Sequence, residues 1–442
     1  MSCKTLIHNV QLVDYKLNTP GALEIEDGKI KTVITGKKET AAYLQKLSEK
    51  EKQNAEIIDG SGLVLMPAFV DMHAHFRYPG QTQKEEPQTA LRAAAAGGFG
   101  TLVLMPNTKP VMSDFETAKK IQAELCAYGL ADLIQTMSIT KDFAGADTSH
   151  LDNLTKSDIP VISEDGHDVQ SAALMLQAMK KCAEKGIIVS CHCEEVSLVP
   201  LAGVPRKKAV EVQKKGADAK TLAPLFDEAE KLLALAEDTA TERNLRIAHT
   251  VGCNIHIAHV STSESIDAVR RAKKAMPGFV TCEVTPHHLA LTKTRNEFVN
   301  PPLRSEDDRQ ALLEAIKDGT VDVISTDHAP HTESDKQNGA CGFSGLETAF
   351  AVCCTNLVKT KLITINKLSE LMSANPAKRL GLNCGALAAG KKADFVLADF
   401  NKDWKVDSSK FFSKGKYSPF NGEILTGKIT ATFHNGKKVF AE

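Results

Sequence analysis

Net charge, long apolar runs and paired cysteines are all scarce in this chain, and each absence excludes a class of protein. The 442 residues contain 54 lysines and arginines against 55 aspartates and glutamates, a formal net charge of -1. A near-neutral chain gives no reason to expect a nucleic-acid or anionic membrane partner. No apolar run approaches the length of a membrane span, and the first residues form no apolar signal segment. We therefore expect a cytoplasmic protein that binds neither nucleic acid nor membrane.

The cysteine pattern argues against a disulfide framework. There are eleven cysteines, an odd number with no repeating spacing, which predicts free thiols in a reducing compartment. The cluster Cys191-His192-Cys193 has the look of a metal motif, but it lacks a Cys-x-x-Cys pair. Neighbouring residues of a strand also face opposite ways, so we expect no thiolate ligands there.

Strand-like apolar runs alternate with helical patterns through the middle of the chain. The runs end near His73, Met105, Ile139, Ser163, Cys191, His259, Val284 and Thr326. The helical patterns cover residues 87–96, 115–128, 172–184, 224–243, 264–275 and 307–317. Eight strands in this alternation predict an α/β fold, a (β/α)8 TIM barrel. A doubly wound sheet is the alternative. It would place a Gly-rich phosphate loop after its first strand, whereas the glycines of residues 96–100 precede a strand and indicate a helix end.

Short β runs occupy both ends of the chain. They cover residues 7–13, 22–26, 29–34, 390–399, 429–433 and 438–440. Asp27-Gly28 and Asn435-Gly436 are hairpin signals between neighbouring runs, and residues 41–53 predict a short helix. The N-terminal unit is too short for a core of its own. We therefore expect one small composite β-sandwich domain formed by residues 1–61 and 376–442, beside a barrel domain of residues 62–375.

The stretch around residue 70 contains the first candidate residues of a functional site. An apolar run, residues 63–70, predicts a buried strand that leads to two histidines, His73 and His75. Side chains two residues apart on a strand share a face. Both imidazoles therefore point to one spot, where they suit a borderline-soft metal such as Zn²⁺. Arg77 follows and offers a guanidinium that can hold a carboxylate through two hydrogen bonds.

Further polar residues follow the other predicted strands. They are Asn107, Asp165, His192, His259, Asp327 and His331. The carboxyl ends of barrel strands build one site, so four histidines and two aspartates are expected to meet. That set exceeds the four ligands of a structural zinc. It predicts two metals that share a carboxylate and promote amide hydrolysis or its reverse, with Asp327 carrying the proton.

Two buried polar residues near these strands are assigned structural roles. His256 lies three residues before His259 on the same predicted strand, so it is expected to face the surrounding helices. Asp71 shares the face of His73 but lies deeper, so we expect it to support a ligand rather than to bind metal.

Two further candidates remain open. His287 and His288 follow the seventh predicted strand, and one of them is expected to support the site from outside the ligand set. Lys141 follows the third strand and is a possible carbamylated, metal-bridging lysine. A surface lysine is commoner at such a position, and Asp165 already offers a bridging carboxylate.

Longer motifs contain these residues. They are His73-Ala-His-Phe-Arg-Tyr-Pro-Gly80, Met105-Pro-Asn-Thr108, Glu164-Asp-Gly166, His192-Cys-Glu194, His259-Val-Ser-Thr262, Asn300-Pro-Pro-Leu-Arg304 and Thr326-Asp-His-Ala-Pro-His331. Together they resemble the amidohydrolase superfamily, and specifically the bacterial-type (class I) dihydroorotases, along nearly the whole chain. The resemblance implies a (β/α)8 barrel with a composite β-sandwich domain, in agreement with the strand pattern.

The resemblance also implies a role for each matching residue. One Zn²⁺ is expected at His73, His75 and Asp327, and a second at His192 and His259, with Asp165 bridging the two. Asp327 is expected to be the general acid/base. Substrate contacts are implied for His75, Arg77, Asn107, Asn300, His331, Cys341 and Gly342.

The implied activity is the reversible cyclisation of N-carbamoyl-L-aspartate to L-dihydroorotate, the third step of de novo pyrimidine synthesis. Similar proteins are often homodimers, and some associate with aspartate carbamoyltransferase. One alternative is a related cyclic amidohydrolase, an allantoinase or hydantoinase, which typically bridges its metals with a carbamylated lysine. Another is a non-catalytic scaffold, a kind of relative that loses metal ligands.

The chain departs from the family pattern in five places. Glu164 stands where an Asp is common beside Asp165. The family usually has Glu where Tyr78 stands, and a Phe-Gly pair where Cys341-Gly342 aligns. The loop of residues 331–345 is shorter than usual. The segment of residues 193–258 is longer and contains the basic stretch 206–208. None of these departures touches the expected metal ligands.

Overall fold

The computed structural model describes residues 4–48 and 55–442. The strands of this part of the chain are β1 (Lys4–Val13), β2 (Asn18–Glu26), β3 (Lys29–Thr35), β4 (Ala55–Asp59), β5 (Val64–Pro67), β6 (Phe69–Ala74), β7 (Phe99–Leu104), β8 (Asp132–Gln135), β9 (Val161–Ser163), β10 (Ile188–Cys191), β11 (Ile255–Ile257), β12 (Val280–Val284), β13 (Val323–Ile324), β14 (Phe395–Lys405), β15 (Ile424–His434) and β16 (Lys437–Ala441). They divide into a mostly antiparallel outer sheet and a set of parallel strands.

The outer sheet is built from both ends of the chain. Its strand order is β16-β15-β14-β5-β1-β2-β3, with β4 paired to β1. Both predicted hairpin turns have positive φ at their two residues, 51° and 75° at Asp27-Gly28 and 51° and 73° at Asn435-Gly436, as a type I′ turn requires. Phe395 and Phe433 stack in its core with ring centroids 4.4 Å apart, so strands from the C-terminal part pack into the same core as β1 and β2.

Strands β6 to β13 are parallel to their neighbours and form two arcs. The arcs are β6-β7-β8 and β13-β12-β11-β10-β9. Isolated bridges join them at both sides, between Ala74 and His328 and between Met137 and Ile162. The parallel strands confirm the predicted α/β barrel, and they bring the carboxyl ends of β6 to β13 to one rim.

Helices surround the parallel strands. The described helices are α1 (Lys37–Lys46), α2 (Pro87–Gly97), α3 (Phe115–Cys126), α4 (Ala172–Lys185), α5 (Val199–Lys214), α6 (Ala219–Val251), α7 (Ser263–Ala275), α8 (Pro286–Ala290), α9 (Glu306–Lys317), α10 (Glu333–Gln337), α11 (Ala349–Cys353), α12 (Ile365–Ser369) and α13 (Asn375–Leu380). Gly98 ends α2 with φ of 87°, as the glycine pattern predicts. Helix α1 covers part of the helix predicted over residues 41–53, and residues 49–53 lie outside the described chain. Within the described ranges, no helix is long and apolar enough to cross a membrane.

The apolar run of residues 63–70 was wrongly predicted to be one strand. It divides at Ala68 into β5 and β6. Strand β5 pairs antiparallel with β14 in the outer sheet, whereas β6 pairs parallel with β7. Both strands are buried, so hydrophobicity is continuous across the division. Strand β5 therefore pairs in the outer sheet although it lies after residue 61. The domain boundary after residue 61 stays a prediction.

The long segment before β11 forms a pair of packed helices, α5 and α6. Helix α6 has 33 residues and begins at Asp218, whose side chain accepts a hydrogen bond from the Thr221 N–H. The sequence pattern predicted only residues 224–243 as helix. Pro224 lies inside the helix, where a proline cannot donate a backbone hydrogen bond. Helix α5 was not predicted.

Candidate active site

Two imidazoles lie at the end of β6. His73 and His75 are buried, and their ring centroids are 5.3 Å apart. The carboxylate of Asp71 accepts hydrogen bonds from the backbone N–H groups of His73 (3.2 Å) and Thr326 (3.0 Å) and from the Thr326 hydroxyl (2.5 Å). Asp71 therefore ties the end of β6 to the end of β13 and holds the backbone at His73.

Asp165, which follows β9, lies at the centre of the histidines. Its Oδ1 atom is 3.3 Å from His73 Nε2, 3.2 Å from His192 Nδ1 and 3.4 Å from His259 Nε2. Its Oδ2 atom is 3.4 Å from His75 Nε2. One carboxylate thus faces all four imidazoles, from β6, β10 and β11.

Asp327 lies on the other side of His73 and His75. Its Oδ1 atom is 3.1 Å from His75 Nε2 and 3.7 Å from His73 Nε2. Burial raises the pKa of Asp327, but the neighbouring imidazoles outweigh burial and hold that pKa below its usual range. The backbone φ of Asp327 is 47° and that of His259 is 31°. Such values are uncommon outside glycine and cluster at functional sites.

These six residues, which we call the His/Asp cluster, fit metal ions. They are His73, His75, Asp165, His192, His259 and Asp327. His73 Nε2 is buried without a hydrogen-bond partner among the described residues, and His192 Nδ1 lies only 2.9 Å from His259 Nε2. Several imidazole nitrogens and carboxylate oxygens thus point to one buried spot, as the ligands of a metal ion do. Imidazoles and carboxylates are also the ligands that zinc and its neighbours prefer.

The His/Asp cluster borders a cavity of about 370 Å³. All the predicted substrate residues line it, namely His75, Arg77, Asn107, Asn300, His331, Cys341 and Gly342. Asp165, His192 and Asp327 line the same cavity. Its volume suits a small molecule.

One wall of the cavity is rich in cations. Arg77 Nε donates to the Pro330 carbonyl at 3.2 Å, and Arg77 Nη2 lies 3.2 Å from His331 Nε2. Lys84 Nζ donates to His331 Nδ1 at 3.3 Å, so His331 carries its proton on Nε2 and donates it to the Cys341 carbonyl at 2.8 Å. Burial and the adjacent cations Arg77 and Lys84 lower the pKa of His331 to about 3. A neutral imidazole between two cations suits a bound carboxylate.

Two asparagines connect the cavity to the His/Asp cluster. Asn107 Oδ1 accepts from His75 Nδ1 at 2.9 Å, and Asn107 Nδ2 donates to Asp165 Oδ2 at 3.2 Å. Asn300 Nδ2 donates to Glu194 Oε1 at 2.9 Å and lies 3.4 Å from His192 Nε2. Both side chains therefore orient residues of the cluster as well as line the cavity.

A buried lysine holds the loop that contributes Gly342. Lys336 Nζ donates to the carbonyls of Phe298 and Gly342, at 2.8 Å each, and the Gly342 N–H donates to the Phe298 carbonyl at 3.0 Å. Gly342 has φ of 117°, and a Cβ there would lie 2.6 Å from the Cβ of Ala329. Only glycine fits this position.

The comparison with protein families shows to which family the chain is related. A model of the amidohydrolase family matches residues 64–439. The chain belongs to the amidohydrolase family. Among curated relatives, the dihydroorotase of Clostridium botulinum is 37% identical over 434 residues, 98% of each chain. The dihydroorotase of Bacillus licheniformis is 38% identical over 397 residues, 87% of this chain and 89% of the relative. The predicted family is thereby confirmed.

Solved structures show the same fold. The L-hydantoinase (dihydropyrimidinase) from Arthrobacter aurescens matches with a TM-score of 0.83 at 23% identity, covering 99% of this chain and 96% of that chain. A dihydropyrimidinase from Brevibacillus agri matches with a TM-score of 0.82 at 20% identity, covering 99% and 95%. At this identity the likeness establishes the amidohydrolase fold alone.

Two other predicted candidates, Lys141 and the pair His287-His288, are not members of the His/Asp cluster of this amidohydrolase. Lys141 is exposed, so it does not reach the central position among the four imidazoles that Asp165 occupies. His288 is buried, with Nδ1 2.8 Å from the Thr285 hydroxyl, and His287 packs edge-on against Phe343 at 4.7 Å between ring centroids. The two histidines therefore contribute to the packing of the chain that follows β12.

The prediction that His256 faces the helices is wrong. Its Nε2 atom lies 3.1 Å from Glu283 Oε2, while the other oxygen of Glu283 lies 2.9 Å from His73 Nδ1. His256 and His259 therefore share the interior. Strand β11 ends at Ile257, and the positive φ of His259 breaks the alternation that the prediction assumed.

Glu283 is a residue beside the His/Asp cluster that the sequence prediction missed. It is fully buried on β12 and accepts a hydrogen bond from the His259 N–H at 3.3 Å, in addition to its contact with His73 Nδ1. Burial raises the pKa of Glu283, but His256 and His73 outweigh burial and hold the pKa below its usual range. An ionised carboxylate on Nδ1 orients the imidazole and makes its Nε2 a better metal ligand. The only sequence signal was a glutamate inside an apolar strand.

We expect the Glu283→Gln substitution to weaken metal binding by about ten- to a hundredfold. The amide keeps the shape of the side chain but removes the charge that polarises His73. Metal retention against a competing chelator measures the effect. Glu314→Gln, on the exposed face of α9, is the matched control and is expected to retain metal like the unmodified chain. Equal retention by both variants would contradict the role of Glu283.

Proposed function

We propose that the chain is a dihydroorotase, which interconverts N-carbamoyl-L-aspartate and L-dihydroorotate with loss or gain of water. The observation that carries this proposal is a single cavity in which Arg77 and His331 face the His/Asp cluster. The substrate has a free carboxylate for the cationic wall and a second carboxylate that must react. The curated relatives, about 37% identical over nearly the whole chain, support the same activity. We place the reaction in de novo pyrimidine synthesis.

The His/Asp cluster is proposed to hold two Zn²⁺ ions. His73, His75 and Asp327 would bind one, His192 and His259 the other, and Asp165 would contact both, in line with its central position. Bound metal would polarise the reacting carboxyl oxygen and favour deprotonation of water in the reverse direction.

The residues of the chain then orient the substrate. Arg77, with Asn107 and His331, is assigned to the free α-carboxylate, because a guanidinium can donate two parallel hydrogen bonds to it. Asn300 and the backbone at Cys341 and Gly342 are assigned to the ureido group. Holding both ends of a flexible substrate brings the ureido nitrogen near the side-chain carboxyl carbon.

Asp327 is assigned the proton transfer. In ring closure, the ureido nitrogen forms a bond to the side-chain carboxyl carbon and loses a proton, and one carboxyl oxygen leaves as water. Asp327 takes the proton from nitrogen and delivers it to the departing oxygen, which takes up a second proton from solution to leave as water. In ring opening the same carboxylate takes a proton from water and gives it to the leaving nitrogen. The carboxylate suits this task because it faces both the cavity and the cluster.

The alternatives predict different substrates and metal contents. A hydantoinase or allantoinase would open hydantoin or allantoin faster than L-dihydroorotate, and a scaffold would hold little metal. We expect the purified chain to open L-dihydroorotate, with kcat/KM at least about a hundredfold above that for hydantoin or allantoin, since only dihydroorotate offers Arg77 a carboxylate. Preference for hydantoin or allantoin would contradict the proposal.

Metal content provides a separate test. We expect about two zinc ions per chain by elemental analysis, loss of turnover after chelation, and recovery when Zn²⁺ is restored. A chain that turns over substrate with its metal removed would contradict the assignment of the His/Asp cluster. A homodimer and association with aspartate carbamoyltransferase stay predictions, for which the oligomeric mass and a mixing experiment are the tests.

A further inference from the structure

The helix pair α5 and α6 contributes a cation to the substrate cavity. Arg206 lies on α5, in the segment between His192 and His259, and its side chain lines the cavity beside Asn300 and Cys341. The residue is half-buried, whereas the next residue, Lys207, is exposed. Of the basic stretch 206–208, Arg206 is therefore the residue that faces the site.

Arg206 contacts both loops that carry expected substrate contacts. Its Nη2 donates to the Val299 carbonyl at 3.0 Å, and its Nη1 donates to Asn300 Oδ1 at 3.4 Å and to Cys341 Sγ at 3.4 Å. One guanidinium thus joins α5 to the loop before Pro301 and to the loop after α10. A planar guanidinium with five donors can hold several acceptors in a fixed arrangement.

These contacts determine which way the Asn300 amide faces. The amide oxygen accepts from Arg206, and the amide nitrogen donates to Glu194 Oε1 at 2.9 Å and lies 3.4 Å from His192 Nε2. The two ends of the amide are therefore distinguished by a cation on one side and an anion on the other. If the amide rotated by half a turn, its NH2 group would face the Arg206 guanidinium and its oxygen would face the Glu194 carboxylate. Arg206 and Glu194 therefore hold the amide in one orientation.

Arg206 also balances charge in the cavity wall. Glu194 lines the cavity and has a negative charge that opposes entry of an anionic substrate. The guanidinium lies on the opposite side of Asn300 from Glu194 and offsets that charge. A cavity that accepts a substrate with two carboxylates requires such compensation.

We propose that Arg206 is a positioning residue for substrate recognition, which fixes the Asn300 amide and joins the α5–α6 pair to the site as one of its walls. This inference rests on the proposed dihydroorotase activity and deepens it. It assigns a role in that activity to the helix pair between β10 and β11. The consequence is that substrate affinity depends on a residue outside the His/Asp cluster and outside the motifs that carry the family resemblance.

The test compares Arg206→Met, Arg206→Lys and the exposed neighbour Lys207→Met, each loaded with Zn²⁺. We expect Arg206→Met to raise KM for N-carbamoyl-L-aspartate about tenfold or more, with a smaller change in kcat and unchanged zinc content, because a charged hydrogen-bond donor is lost. Arg206→Lys should restore part of the affinity, and Lys207→Met should match the unmodified chain. Equal KM values for Arg206→Met and Lys207→Met, or a loss of kcat and zinc at constant KM, would overturn the proposal.

A double-mutant cycle tests whether Arg206 acts through Asn300. If it does, Arg206→Met should change KM much less in the Asn300→Ala background than in the unmodified background. If Arg206→Met raised KM by the same factor in both backgrounds, Arg206 would not act through Asn300, and the positioning role would be overturned. If Arg206→Met fails to fold, the same cycle is run with Arg206→Lys, with the same criterion. Absence of turnover in the unmodified chain would contradict the proposed function itself, whereas normal turnover with an indifferent Arg206 would contradict only this inference.

Discussion

Asp327→Ala is expected to lower kcat for ring closure by about a thousandfold or more. The variant removes the group assigned to proton transfer, a step that contributes up to about 10⁴-fold in enzymes, and it also removes a carboxylate oxygen 3.1 Å from His75 Nε2 that is assigned to metal binding. Initial rates with N-carbamoyl-L-aspartate, measured by ultraviolet absorbance on zinc-saturated protein, give the effect.

Asp327→Asn separates the two roles of this carboxylate. The amide retains an oxygen that can face metal but cannot carry a proton at neutral pH. We expect this variant to keep more zinc than Asp327→Ala while kcat stays equally low. Restoration of kcat in Asp327→Asn would show that the carboxylate serves metal binding alone and would contradict its assignment as acid/base.

Arg77→Met is expected to reduce kcat/KM for N-carbamoyl-L-aspartate by about a hundredfold or more. The guanidinium is assigned to the α-carboxylate, and a pair of charged hydrogen bonds contributes about 3 kcal/mol or more, which corresponds to at least two powers of ten. Steady-state kinetics on zinc-saturated protein provide the measurement, with the loss expected mainly in KM.

Two companion variants sharpen this result. Arg77→Lys keeps the charge but loses the planar fork, so it should recover only part of the loss. Lys109→Met removes an exposed cation from a neighbouring loop and should leave the kinetics nearly unchanged. If Lys109→Met lowered kcat/KM as much as Arg77→Met, general electrostatic attraction and not a specific carboxylate contact would explain substrate binding.

The residues of the site could be predicted from the sequence because each follows a strand in a repeating pattern. His73 lies on β6 and His75 directly follows that strand, and Asp165, His192 and Asp327 follow β9, β10 and β13. Parallel strands place their carboxyl ends together, so position along the chain predicted proximity in space. The structure does bring these residues together, around Asp165.

The errors arose where local geometry departs from the ideal repeat. His256 was assigned to the wrong face because the alternation fails between Ile257 and His259, where the backbone leaves the strand with positive φ. The run of residues 63–70 hid the passage from the outer sheet to the barrel, because both strands are equally buried. Hydrophobicity reports burial and contains no information on which sheet a strand joins.

Supporting residues were the hardest to predict. Glu283 lies 210 positions from the histidine that it orients, and Arg206 reaches Cys341 across 135 positions. Neither residue belongs to a short motif, and their roles depend on how distant strands and helices pack. Such contacts become visible only in the folded chain, which is why the ligands were predicted and much of their support was not.

The most direct test of the account is ring closure of N-carbamoyl-L-aspartate compared with N-carbamoyl-β-alanine, which lacks the α-carboxylate. Both substrates offer the same ureido nitrogen and reacting carboxyl group to the His/Asp cluster. The account predicts ready turnover of N-carbamoyl-L-aspartate and a kcat/KM at least about a hundredfold lower for N-carbamoyl-β-alanine, since only the former engages Arg77. Equal turnover of the two, or preference for N-carbamoyl-β-alanine, would contradict it.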